Sequence, residues 1–241
     1  MTFPRRLEPE WLDELPPDDP RAVRTRRDLR RVNAWMLNAS RMAGALLRHA
    51  DHRQPCRIVD LGSGDGEFML RVGRRVAPRI RDVTIILQDR QDIVAAETRQ
   101  AFAALGWKVE THSCDVFDFV ANAPPTDIVT CNLFLHHFTD EQLSGLFAKL
   151  AGLAGLVVAC EPRRARFVVR ASRLLWLIGC NEVSIHDAVV SARAGFTGQD
   201  LSGLWPGRAG WELEEGQAGL FTHAFVARRT APSPMAPRAP G

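Results

Sequence analysis

The sequence lacks tyrosine altogether, and lysine is almost absent. Of its 31 basic residues only Lys108 and Lys149 are lysines. No tyrosine can therefore act as an acid, a base or a hydrogen-bonding anchor. An uncharged apolar run of about 18 residues is also missing, so no membrane-spanning helix is expected. The opening stretch MTFPRRLEPEW has no apolar segment typical of a secretory signal, which favours a cytoplasmic location.

The five cysteines exclude a disulfide framework, because their number is odd and none forms a CxxC pair. Cysteines at strand ends behave as small buried hydrophobes, so we expect no structural zinc and no other metal. The net charge of +3 is too weak to indicate a nucleic-acid partner. With 241 residues, 46% of them hydrophobic, the chain can bury one substantial core.

Three segments flank the predicted core. Residues 1–20 end in LPPDDP and form an irregular, proline-broken N-terminal arm. Residues 21–54 repeat apolar side chains at steps of three and four, which predicts an amphipathic helical cap, broken in two near Asn38 and Ser40. Residues 231–241, APSPMAPRAPG, form a proline-rich tail that we expect to be disordered.

Residues 55–230 alternate strand and helix patterns. The predicted strands are 57–61, 83–88, 108–113, 127–132 and 156–160, and the predicted helices between them are 66–76, 91–105 and 140–150. This alternation predicts an α/β core domain with a doubly wound, mostly parallel sheet. Strands 211–217 and 220–228 would add an antiparallel C-terminal hairpin, which makes seven strands. Two helical stretches within 163–195 are expected to form an insert over the active site.

A glycine-rich turn follows the first predicted strand in the motif IVDLGSGDG. Glycine tolerates a positive φ and has no Cβ, so the backbone can approach a ligand closely. The GxGxG spacing differs from the GxGxxG of dinucleotide sites, and the flanking acids disfavour a diphosphate, so a dehydrogenase is the weaker interpretation. The turn and its acids comprise Asp60, Gly62, Ser63, Gly64, Asp65 and Gly66.

Polar residues also follow the next three strands. Asp89 ends the second strand, Asp115 and Val116 follow the third, and Asn132 and Leu133 follow the fourth. Ligands of open parallel sheets bind beyond the carboxyl ends of the strands. A ligand with a ribose, an adenine, an ammonium and a sulfonium fits all four positions.

The motifs IVDLGSGDGEF, IILQD, SCDVFDF and DIVTCNLFLHHF resemble those of class I S-adenosylmethionine-dependent methyltransferases. The resemblance covers roughly residues 55–162 and is to the small-molecule type, such as quinone- and polyketide-modifying members. It implies a Rossmann-like methyltransferase fold, with S-adenosylmethionine as the cofactor.

The resemblance also implies roles for single residues. Gly62, Ser63 and Gly64 would pack against the methionine part of the cofactor, and Asp60 and Gly66 belong to the same turn. Asp89 would bind the ribose hydroxyls, with Asp92 as the fallback. Asp115 would meet the adenine amine, Val116 or Phe117 would pack on the adenine face, and Asn132 and Leu133 would lie near the transferred methyl group.

The acceptor is less defined than the cofactor. NLFL lacks the Asn-Pro-Pro-aromatic motif typical of enzymes that methylate DNA bases or glutamine amides. We therefore predict O-methylation of a small aromatic or polyketide-like metabolite, either carrier-bound or lipophilic. Three alternatives stay open: C-methylation of a similar substrate, methylation of RNA or protein, and a non-catalytic cofactor-binding subunit.

An oxygen acceptor must lose its proton, and histidines are the main candidate bases. We predict catalytic roles for His136, His137 or His186, with Glu161 as a fourth candidate. Adjacent residues on a helix point about 100° apart, so at most one of His136 and His137 is expected to face the pocket.

Two arginine stripes mark the segments outside the motifs. Arg163, Arg166, Arg170 and Arg173 recur at steps of three and four, and Arg24, Arg27 and Arg31 repeat the pattern. A solvated helix face accounts for both stripes. Alternatively, the arginines meet an acceptor carboxylate, a carrier phosphopantetheine or a membrane surface.

Overall fold

The computed structural model of the protein describes residues 3–50 and 56–230. The strands are β1 (Cys56–Leu61), β2 (Val83–Asp89), β3 (Lys108–Ser113), β4 (Thr126–Asn132), β5 (Ala154–Pro162), β6 (Trp211–Ala218) and β7 (Thr222–Arg229). They form one sheet in the order β3-β2-β1-β4-β5-β7-β6. β1 to β5 are parallel, and β7 is antiparallel to β5 and β6. The predicted sheet, with its C-terminal hairpin, is confirmed.

Helices cover both faces of the sheet. They are α1 (Trp11–Glu14), α2 (Pro20–Met36), α3 (Asn38–His49), α4 (Glu67–Val76), α5 (Ala96–Ala103), α6 (Val116–Asn122), α7 (Asp140–Leu153), α8 (Arg166–Ser172) and α9 (Glu182–Ala194), with 3₁₀ turns at Leu135–His137 and Leu175–Ile178. None of the helices in the described residues is long and apolar enough to cross a bilayer.

The sheet divides the apolar core into two layers. On one side α3 and α4 pack against β1 and β2, with Met42, Leu46, Ile58 and Met69 fully buried. On the other side α6 and α7 cover β4 and β5, around Phe147. The central strands are rich in β-branched residues and leucine and are buried on both faces, so each appears in the sequence as an apolar run.

The cap helices break where the sequence predicts a break. Leu37 between α2 and α3 has φ of 58°, a left-handed conformation that ends the first helix. Asp19 caps the start of α2 by accepting a hydrogen bond from the amide of Arg21.

The structure differs from the predictions in four places. The helix expected at 91–105 is restricted to α5, and α6 was missed because seven residues carry too little periodicity. The stretch after Pro162 splits into α8 and the 3₁₀ turn Leu175–Ile178. The N-terminal arm, expected to be irregular, contains the short helix α1. The tail at 231–241 and the end of the cap at 51–54 lie outside the described residues.

Candidate active site

A cavity of about 780 Å³ lies beyond the carboxyl ends of the central strands. Its floor is made by the residues after β1, β2 and β4, and its walls come from α2, α9 and the N-terminal arm. The site is therefore at the position expected for an open parallel sheet, where the strand order reverses beside β1. The arm's contribution was not predicted.

The glycine turn after β1 leaves room for a ligand. Gly62, Gly64 and Gly66 have φ of 68°, 54° and 75°, all in the left-handed region. A Cβ on Gly62 would lie 2.2 Å from the ring of Phe134, whereas a Cβ on Gly64 would meet no atom within 4 Å. Gly62 is thus required by close packing, and Gly64 borders the open cavity.

Two buried polar atoms beside this turn have no hydrogen-bond partner in the described part of the chain. They are Oγ of Ser63 and Oε1 of Gln88, and both residues line the cavity. Unsatisfied buried polar atoms are costly, so they mark a place where a polar ligand can bind. Together with the open space at Gly64, they fit the polar methionine end of S-adenosylmethionine.

Asp89 lies at the rim of the cavity at the end of β2. Its two carboxylate oxygens accept hydrogen bonds from the amides of Gly64, at 2.9 Å, and Gln91, at 3.0 Å. Each oxygen retains a lone pair for a hydroxyl group. The fallback residue, Asp92, does not line the cavity and pairs with Arg99 instead. This placement favours Asp89 as the ribose-binding acid.

Val116 lines the cavity, but Asp115 does not. The carboxylate of Asp115 caps α6 by accepting a hydrogen bond from the amide of Phe117, at 2.9 Å, and pairs with Arg90 at 3.1 Å. Phe117 packs edge-on against Phe138. The adenine contact assigned to Asp115 therefore stays a prediction, while its helix-capping role is observed.

Asp60 is a buried acid beneath the glycine turn. It is 2% exposed, and the hydroxyl of Thr130 donates a 2.6 Å hydrogen bond to its carboxylate. Burial raises the pKa of Asp60 to about 7, with the Thr130 hydrogen bond opposing the shift and the charge of Asp89 adding to it. A cationic ligand in the cavity would stabilise the ionised form.

Asn132 is held by two asparagines that sequence reasoning missed. The amide of Asn38 donates to Oδ1 of Asn132 at 3.0 Å, and Asn132 donates to Oδ1 of Asn33 at 3.1 Å. The next residue, Leu133, has φ of 53°, which is unusual for a non-glycine residue. These bonds fix Asn132 at the cavity wall.

His136 is buried between two glutamates. Its Nδ1 lies 2.8 Å from Oε2 of Glu161, and its Nε2 lies 3.3 Å from Oε1 of Glu10. Oε1 of Glu161 also accepts the amides of Phe134 and Leu135. Burial lowers the pKa of His136, but the hydrogen bonds to Glu10 and Glu161 outweigh it and raise the pKa to about 9.

His137 differs from its neighbour although both line the cavity. Its side chain is 28% exposed and lies 3.6 Å from Asp13 and 4.0 Å from Glu10. Burial and the charge of His136 lower its pKa. The expectation that at most one of the two histidines faces the pocket is wrong, because both line the cavity with their rings side by side, 4.4 Å apart.

His186 lies away from the cavity. Its ring stacks on Trp11 at 3.8 Å, and its Nδ1 is 2.9 Å from Asp187. Asp187 in turn accepts the amides of Trp11 and Leu12. The histidine therefore holds the N-terminal arm against α9, and its geometry gives no support to the predicted catalytic role.

Comparison with known proteins agrees with this geometry. Residues 58–154 match the family described as "Methyltransferase domain". No curated protein sequence matches the chain. The matched residues include most of the segment that carries the motifs, so the resemblance to the S-adenosylmethionine-dependent methyltransferases is confirmed. S-Adenosylmethionine is the cofactor that this domain implies.

Solved structures establish the same fold at low sequence identity. The plantazolicin methyltransferase BpumL, in complex with SAH, is 15% identical with a TM-score of 0.61, covering 88% of this chain and 91% of that chain. An O-methyltransferase family protein from Burkholderia thailandensis is 20% identical with a TM-score of 0.55, covering 89% and 61%. The pyocyanin biosynthetic protein PhzM is 19% identical with a TM-score of 0.57, covering 91% and 60%.

Proposed function

We propose that this protein transfers a methyl group from S-adenosylmethionine to an oxygen atom of a small aromatic or polyketide-like metabolite. The observation that carries the proposal is that one cavity is bordered both by the open glycine turn and by the imidazole of His137. When bound, S-adenosylmethionine supplies an electrophilic methyl group on a positively charged sulfur.

The cofactor side of the cavity suits that cation. Asp60, Asp65 and Asp89 all line it and surround the glycine turn with carboxylates. Asp89 would bind the ribose hydroxyls, and Ser63 would hydrogen-bond the polar methionine end. Val116 would pack against the adenine.

The acceptor side combines apolar walls with the histidines. Leu29, Leu37, Phe134, Phe138 and Val190 line it. These side chains would exclude water and orient an apolar acceptor ring. Both effects lower the barrier to methyl transfer. The lowered pKa of His137 leaves the imidazole neutral at neutral pH, so it can accept the proton of the acceptor hydroxyl.

One observation favours a second candidate, methylation of an amine nitrogen. The carboxylates of Glu10 and Asp13 lie beside His137 at the cavity wall. They would attract an ammonium group, which His137 would then deprotonate. A panel of phenol and amine acceptors, with the methylated product identified by mass spectrometry, separates the two candidates.

Thermal unfolding with ligands tests the cofactor site first. S-Adenosylhomocysteine at a hundred times its Kd should stabilise the protein by about 2.7 kcal/mol, whereas NADH should not. Asp89→Asn should remove most of this shift. Asp92→Asn is the matched control and should retain it, because Asp92 does not line the cavity. A shift with NADH alone, or with neither ligand, would contradict the proposal.

A further inference from the structure

The segment between β5 and α9 has an unusual charge composition. Residues 162–181 contain five arginines and no aspartate or glutamate. Arg164 is buried and paired with Asp200 at 2.7 Å, but Arg166, Arg170 and Arg173 are exposed. The remaining stripe residue, Arg163, is half-buried and lies over the ring of Phe167.

Large apolar side chains are exposed on the same segment. Phe167 is 41% exposed, Leu174 53%, Trp176 60% and Leu177 62%. Leu220, in the β6–β7 turn, is 63% exposed, and its carbonyl accepts a hydrogen bond from Arg163 at 3.5 Å. We define the α8 surface by the exposed residues of this segment: Arg166, Phe167, Arg170, Arg173, Leu174, Trp176 and Leu177.

The arginines of α2 extend this surface. The guanidinium groups of Arg24 and Arg31 donate to the carbonyl of Gly179, at 3.2 Å and 3.5 Å. Gly179 follows directly after the 3₁₀ turn that carries Trp176 and Leu177. The two arginine stripes seen in the sequence therefore meet at one place on the molecule.

The structure overturns one interpretation of the stripes. None of the seven stripe arginines lines the cavity, whereas two other arginines of α2, Arg26 and Arg30, do. A carboxylate of an acceptor bound in the cavity is therefore not what the stripes contact. A ligand of the stripes would therefore approach from outside the cavity.

We propose that the α8 surface binds an anionic lipid bilayer. Guanidinium groups pair with lipid phosphates, and tryptophan is favoured at the boundary between headgroups and acyl chains. Trp176 and Leu177 are adjacent and both exposed on a short turn, so they would enter that boundary together. The surrounding arginines, without a neighbouring acid in the segment, supply attraction to negative headgroups. This proposal does not depend on the identity of the methyl acceptor.

Vesicle flotation with the full-length protein tests the proposal directly. Phosphatidylcholine vesicles are compared with vesicles that contain phosphatidylcholine and phosphatidylglycerol at about 7:3. The protein should float with the anionic vesicles only, and less so as salt is raised, because salt screens the arginines. Arg170→Gln and Arg173→Gln should each lower the partition coefficient roughly fivefold. Trp176→Ala should lower it as well.

Matched control variants test whether vesicle binding depends on the α8 surface or on any exposed arginine or tryptophan. Arg79→Gln and Arg81→Gln remove two exposed arginines between α4 and β2, and Trp35→Ala removes another exposed tryptophan, at 72%. These variants should partition like the wild type, and the thermal shift with S-adenosylhomocysteine checks that every variant is folded.

Equal binding to neutral and anionic vesicles, or no binding to either, overturns the proposal. Unchanged partition of both Arg170→Gln and Arg173→Gln also overturns it. If Trp176→Ala converts a dimer into a monomer without affecting flotation, the surface is a contact between two copies of the chain. Binding to an acidic protein but not to vesicles would also overturn the lipid assignment.

Discussion

At the scale of single residues, Asp60 makes cofactor binding dependent on pH. Its pKa of about 7 lies above the ordinary value of 3.8, so below pH 7 the buried carboxyl is mostly protonated. A cationic ligand favours the ionised form, and binding then requires loss of that proton. The affinity for S-adenosylhomocysteine, which carries an ammonium group, should fall roughly tenfold per pH unit below pH 7.

Calorimetric titration between pH 5.5 and 8 measures this dependence. Asp60→Asn retains a group that can accept the hydrogen bond from Thr130 but cannot ionise, so its affinity should be weaker at pH 8 and nearly independent of pH. A wild-type affinity that is constant across this range would contradict the role given to Asp60. The raised pKa of Asp60 gives a stabilisation that is fully present below pH 3.8 and is lost as pH rises through about 7, and the variant should lose this part of the pH dependence of unfolding.

A second prediction at this scale concerns His137. If its neutral imidazole accepts the proton of the acceptor, His137→Gln should lower kcat by about 10²- to 10⁴-fold. The affinity for S-adenosylhomocysteine should be unchanged, because the residue is assigned to the acceptor side. His112→Gln is the control and should retain the wild-type kcat, since His112 is exposed on β3 outside the cavity.

The pH profile provides an independent check on His137. Its lowered pKa places the acidic limb of kcat below pH 6.5, the ordinary histidine value. Wild-type activity in His137→Gln would show that the base is elsewhere.

At the scale of elements, the N-terminal arm makes a contact that could not be predicted from the sequence. Its LPPDDP motif indicates an irregular segment, yet the arm places Glu10 against His136, 126 positions further along the chain. The strands were predictable within two residues because their apolar runs are local signals. A contact between an arm and a distant turn leaves no local signal, so neither Glu10 nor the partners of Asn132 could be found.

The contact between this arm and His136 makes the stability of the protein depend on pH. His136 has a folded pKa of about 9, above the ordinary 6.5, so its two carboxylate partners stabilise the folded state fully below pH 6.5. That stabilisation is lost as pH rises through about 9. Glu10→Gln removes one carboxylate and should lower the free energy of unfolding at pH 7 by about 1–3 kcal/mol.

Urea denaturation at pH 6.5 and pH 9 measures both effects. The difference between the two pH values should shrink in Glu10→Gln. Glu8→Gln is the matched control on the same arm, because Glu8 only forms partly exposed pairs with Arg6 and Arg193 at 3.4 Å. Equal losses in both variants would mean that the arm contributes through its packing and not through His136.

At the scale of the whole molecule, the helical cap is part of the core. Met42 and Leu46 of α3 pack in the same buried cluster as Ile58 of β1. Asn38 also joins α3 to two strands, because it donates to Asn132 and accepts a 2.6 Å hydrogen bond from the hydroxyl of Thr222. We therefore expect the cap and the sheet to unfold in one step, with the cofactor cavity that lies between them.

Native-state hydrogen exchange tests this coupling. The amides of Met42, Leu46 and Ile58 should exchange with the same free energy, close to that of global unfolding. Asn38→Ala removes the partner of the Thr222 hydroxyl and of Oδ1 of Asn132, and should lower all three values together, by about 1–3 kcal/mol. Much faster exchange in α3 than in β1 would instead mean that the cap opens alone. In that case the acceptor would have a route into the cavity that does not require the sheet to move.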